Sequence, residues 1–69
     1  MTRKFTITIQ CENAAFEDDP LGEISRILAI EAKRLALWAG DNPRPRWSDT
    51  LLDVNGNVVG SACLTGNLS

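Results

Sequence analysis

The sequence predicts an α+β fold of chain order β-α-β-β, with one helix packed on a three-stranded antiparallel sheet. Three observations carry that expectation. Residues 4–11 alternate, with Phe5, Ile7, Ile9 and Cys11 on one face and Lys4, Thr6, Thr8 and Gln10 on the other, the period of a strand with one wet face. Between Leu21 and Trp38 apolar residues recur at helical spacing, as they do along an amphipathic helix. Near the end, Asn55-Gly56 separates two apolar runs, the strongest short-range sign of a hairpin.

At 69 residues, residues 1–69 are expected to form one small domain. A chain of this size buries roughly 60% of the surface its unfolded form exposes. Its core must be economical or completed by a partner. With 43% hydrophobic and 23% charged residues, the composition is too apolar for a disordered tail.

The half-polar first strand suits an antiparallel sheet covered on one side. A linker occupies 12–18. Asp19-Pro20 reads as a helix start, because Asp19 can accept from free backbone donors and proline is tolerated at the first helical position. The helix is expected to run to about Ala39, with Gly40 as its left-handed cap. Leu21, Ile24, Ile27, Leu28, Ala32, Leu35 and Trp38 fall on one broad face, which is expected to cover the sheet. Glu31 interrupts that face. It either reaches water over a gap in the sheet, with Arg34 available to pair, or makes a polar contact to a partner or second subunit. Ile30 and Leu37 point away among charges, as an apolar stripe for a dimer or target or as scattered surface residues.

Two prolines exclude helix from residues 42–47, because proline lacks a donor and biases its neighbours to extended conformations. Arg44, Arg46 and Trp47 there form a contact loop for phosphates or an acidic surface, or a rigid spacer with Trp47 tucked under the helix end. The hairpin strands are expected at 49–54 and 57–64. Two registers compete: a two-residue loop Asn55-Gly56, or a three-residue loop Val54-Asn55-Gly56 with a bulge at Gly56. Gly60 and Ala62, if inward, let the helix approach closely. Residues 65–69 are expected to fray. If the last strand pairs with the first, the order is 1-3-2, and whichever order holds two sheet edges stay open.

Net charge is −2 and the pI about 4.8, which opposes sequence-independent nucleic-acid binding. The distribution is uneven. Glu12, Glu17, Asp18, Asp19 and Glu23 contain no base among them, whereas Arg26, Lys33, Arg34, Arg44 and Arg46 dominate residues 26–46. The acidic set can face a basic groove, its charge steering association, or stand as a solvated linker complementing the helix dipole.

The chain holds no His and no Tyr, so the commonest general base and the commonest metal ligand are missing. Ser25, Ser48, Ser61 and Ser69 lie in no nucleophile motif. Asp49 and Asp53, four apart on one strand, share a face but flank a turn, where carboxylates are usually solvated. Asp53-Val54-Asn55-Gly56-Asn57 lacks the terminal Glu of a calcium loop. No catalytic residue, metal or cofactor is expected. Cys11 and Cys63 fit no zinc or redox spacing and are read as two buried thiols, with a disulfide as the alternative. The opening lacks a signal-peptide core and no apolar run reaches spanning length, so a soluble cytoplasmic chain is expected, without a membrane partner.

The opening Lys4-Phe5-Thr6-Ile7-Thr8-Ile9, the single amphipathic helix and the closing Asp53-Val54-Asn55-Gly56-Asn57-Val58-Val59-Gly60 together resemble the very small orphan proteins encoded by phages and prophages. Among these, members with a recognised role are often anti-CRISPR proteins. The resemblance covers nearly the full length and rests on fold motifs. It implies a non-enzymatic inhibitor that binds a bacterial CRISPR–Cas surveillance complex in the host cytoplasm and blocks DNA recognition or nuclease recruitment. It carries no catalytic motif, and the modest charge departs from a strong DNA mimic. The alternatives are a self-associating structural or regulatory phage protein, and a nucleic-acid binder using the five bases.

Overall fold

The computed structural model describes residues 3–39 and 46–66. Strand β1 is Arg3–Ile9, helix α1 Pro20–Trp38, strand β2 Trp47–Leu52 and strand β3 Val58–Gly66, with one 3-10 turn, Ala14–Phe16, ahead of the helix. β3 lies in the middle, antiparallel to both neighbours, in the order β1-β3-β2. This is the α+β architecture of one helix on a three-stranded antiparallel sheet.

Register sorts the two faces, because residues directly opposite share a side. Phe5 pairs with Leu64 and Ile7 with Ala62, while Leu64 and Ala62 also face Trp47 and Asp49. That side lies under the helix. Thr6 and Ser48 flank Cys63, and Thr8 and Thr50 flank Ser61, on the uncovered side. Thr65 and Gly66 pair with Lys4 and Arg3, so they are strand and not tail; residues 67–69 lie outside the described residues. Cys11, expected on the buried face, is exposed, and Cys63 is half-buried. β1 ends at Ile9. The Gln10 N–H still reaches the Val59 carbonyl at 2.7 Å, and the chain then leaves for the 3-10 turn. Both thiols are free.

At the helix start the Asp19 carboxylate accepts from the Gly22 N–H at 3.1 Å, with Pro20 in the first turn. At the other end Ala39 is extended, φ −65° and ψ 137°, and the expected Gly40 cap lies outside the described residues. The buried line of α1 is Glu23, Ile27 and Glu31. Of the expected face, only Ile27 is fully buried. Ile24 and Leu35 are half-buried, and Leu21, Leu28, Ala32 and Trp38 are exposed. The helix meets the 3-10 turn and β2, and this roll toward β2 brings the two glutamates down. The core is correspondingly small: Phe16, Ile27, Leu51 and Val59, with Ile7, Ile9, Ala15 and Ile24 packed around it. Ala62 is fully buried beside them.

The hairpin adopts the three-residue loop. The Gly56 N–H bonds the Asp53 carbonyl at 3.0 Å, closing a turn over Val54 and Asn55, and the Asp53 N–H bonds the Asn57 carbonyl at 2.9 Å. Gly56 has φ +85° and no other described residue has positive φ, which excludes the type I′ alternative because that turn requires two. A second irregularity lies just beyond the loop: Leu51 pairs with Gly60 but Leu52 with Val58. Val59 is the extra residue of a bulge, and the bulge turns its side chain into the core. Among the described residues no helix is long and apolar enough to cross a membrane.

Candidate functional site

The roll of α1 lines up four carboxyl groups along its seam with β2. Two of them hold the frame. Asp53 is 4% exposed and accepts the backbone N–H of Asn55 and Asn57, each at 2.9 Å. It also accepts the amides of Asn13 at 3.1 Å and Asn57 at 3.4 Å. The Asn57 N–H above all, with the other donors, holds its carboxyl below the ordinary range against the opposing effect of burial. Glu23 takes two hydrogen bonds from Arg26, at 2.8 and 2.9 Å, and the Val54 N–H at 2.9 Å. Arg26 chiefly holds that carboxyl low. Helix, turn and hairpin are thereby tied at one end.

The other two carboxyls are set differently. Glu31 is 2% exposed, and neither of its oxygens receives a hydrogen bond. The polar group nearest in influence is Asp49, itself an acceptor. Burial first, and then the Asp49 carboxylate by hydrogen bond and by charge, raise the Glu31 carboxyl above the ordinary range, with Arg34 acting against them. Two facing acceptors are satisfied when Glu31 carries a proton and donates it. Arg34, available from sequence to pair with Glu31, bonds Asp49 instead at 3.3 Å. Glu31 therefore does not reach water, as one reading of the sequence has it.

A raised carboxyl lowers stability as it ionises, so its cost appears as pH rises from about 4.3, the unfolded value, through the raised folded value. Glu31→Gln presents a permanent amide donor to Asp49 and carries no charge. The variant is expected to gain about 1 kcal/mol at pH 7 and nothing at pH 4. Urea unfolding at both pH values checks this, and a loss at pH 7 contradicts it.

The residues singled out from sequence fall in separate places. Glu12, Glu17, Asp18 and Asp19 are exposed, Asp19 also capping the helix. Glu23 has turned inward and left that group. Arg46 is exposed and Trp47 half-buried, its ring stacked on Phe5 with centroids 6.4 Å apart. Arg44 lies outside the described residues. Ile30 and Leu37 are exposed, Leu37 at 81%. Of the bases, Arg26 is committed to Glu23 and Arg34 to Asp49. Asp49 and Asp53 each serve a different partner and do not form an acid–base pair. Among the described residues no group of three His, Cys, Asp or Glu is placed to hold a metal ion.

Sequence reasoning missed Asn13 and Phe16, which anchor the linker. Phe16 was the visible signal, as the one large apolar residue among acids. Comparison of the chain with protein-family models, with curated proteins and with solved structures finds no match to any of them.

Proposed function

We propose that this chain is a non-enzymatic, protein-binding inhibitor of a bacterial defence system, of the anti-CRISPR type, acting in the host cytoplasm on a CRISPR–Cas surveillance complex. The observation that carries this reading is the end of the molecule around the helix start. Glu12, Glu17, Asp18 and Asp19 are exposed there, and Leu21, 77% exposed, stands two residues beyond Asp19. An apolar anchor beside several acids suits a basic protein groove that otherwise holds nucleic acid. Charge brings the partners together and the desolvated apolar contact holds them. The resemblance of the strand, helix and hairpin to small phage proteins supports the same target.

A second reading has its own observation. Phe5, Leu28, Ile30 and Leu37 are all at least 41% exposed, more apolar surface than so small a core accounts for, and a self-associating phage protein would cover it as a homodimer. Immobilised chain incubated with lysate from cells expressing a CRISPR–Cas complex separates the two. Retention of Cas proteins is the expected result. Light scattering that shows a dimer, with no defence component retained, would favour self-association.

A further inference from the structure

The groove between α1 and β2 is lined by Ile27, Ile30, Glu31, Arg34, Leu51 and Leu52, with Arg26 and Asp53 at its end, and encloses about 150 Å³. Ile27, Ile30, Leu51 and Leu52 make its apolar wall, and Glu31 is a buried carboxyl in it whose oxygens receive no hydrogen bond. Glu31 and Asp53 line the groove together with the guanidiniums of Arg26 and Arg34, and Glu23 and Asp49, just outside the lining, each bond one of those guanidiniums. Arg26 is fully engaged by two bonds to Glu23. Arg34 is held by one contact of 3.3 Å, with its side chain 49% exposed. That contact shows that a guanidinium fits against Asp49, while leaving Glu31 without a donor.

We propose that this groove receives one arginine side chain from a protein partner, its methylenes on Ile30 and Leu52 and its guanidinium between Glu31 and Asp49, displacing Arg34 toward solvent. A guanidinium presents five donors in a planar fork and serves two carboxylates at once, which a compact ammonium does less well. β2 is an edge strand, so a partner segment can lie along it and send a side chain into the groove beside it. The inference rests on the reading of the chain as a protein-binding module and adds the chemistry of the partner: an arginine-bearing surface.

The test uses n-butylguanidinium as probe, followed by amide chemical shifts of the intact chain. Saturable shifts at Ile30, Glu31 and Leu52 are expected. Glu31→Gln should weaken binding at least tenfold, and Leu52→Thr, on the groove wall, severalfold. n-Butanol should give no saturable shift and n-butylammonium a weaker one. Absence of saturation, or equal binding to Glu31→Gln, overturns the proposal. Retention of Cas proteins alongside a negative probe result would remove this inference and leave the proposed function standing.

Discussion

Gly60→Ala is expected to be the most damaging single-methyl substitution in the chain. A Cβ built on Gly60 lands on the carbonyl oxygen of Thr8 and 3.1 Å from Cα of Ile9. Both obstacles are backbone of β1, so neither can move aside without breaking a strand pair. The close approach arises from the neighbouring bulge, which turns Val59 inward and increases local twist. Overpacking of this kind costs about 3 kcal/mol, against a total of about 5 kcal/mol for a domain this small. Urea unfolding followed by circular dichroism should show a variant that keeps about 2 kcal/mol, its midpoint at less than half the wild-type urea concentration. A loss below about 1 kcal/mol would show that β1 and β3 yield more readily than their geometry implies. The glycine thus serves strand-to-strand contact, where the sequence suggests helix approach.

Asp53→Ala should lower the melting temperature at pH 7 by about 10 °C. The substitution orphans the N–H groups of Asn55 and Asn57 and the amide of Asn13, and with them the turn and the linker lose their common anchor. Asp53→Asn retains one acceptor oxygen and should fall between the two. The carboxyl is held low in the folded chain, so its contribution is fully present above about 3.9, the unfolded value, and is lost as pH falls through the lowered folded value. Glu23, also held low, obeys the same sign. The gap between wild type and Asp53→Ala should therefore narrow in strong acid. Thermal melts at pH 7 and pH 2.5 check this, and an equal gap at both would mean that the bonds do not depend on charge.

The architecture was legible because its signals are local. The alternation of Phe5, Ile7 and Ile9 needs no partner to be read, the Asp19-Pro20 start carries its own cap, and Asn55-Gly56 marks a turn. The angle at which the helix rolls on the sheet is a tertiary property. Helical spacing offers Leu21, Leu28 and Trp38 as readily as Ile27, and a rule that sends charge to water rejects Glu23 and Glu31 from the buried line. Glu23 descends because Arg26 and the Val54 N–H meet it there, and Val54 lies far away in sequence; Glu31 follows on the same buried line as Ile27 and meets no donor. The hairpin register was likewise undecided until Asp53 supplied its carboxylate to the loop. The exposed acids Glu12, Glu17, Asp18 and Asp19 were legible from sequence because they flank the one large apolar residue of the linker, Phe16, which is what that segment buries. The inward turn of Glu23 divided the set. The groove beside β2 had no sequence signature beyond Glu31 on an apolar face.

The acidic residues divide into those that hold the frame and those that the proposed function assigns to the contact. Glu17 and Asp18 are placed in the second kind by the proposal, being exposed and, unlike Asp19, not needed as the helix cap. The most direct measurement compares capture of a CRISPR–Cas complex by the wild-type chain and by the Glu17→Lys/Asp18→Lys double variant, with the melting temperature of each recorded alongside. Capture is expected to weaken at least tenfold, and more so at low salt, with the melting temperature moved by no more than a few degrees. Undiminished capture by the double variant would contradict a target contact at this end of the molecule.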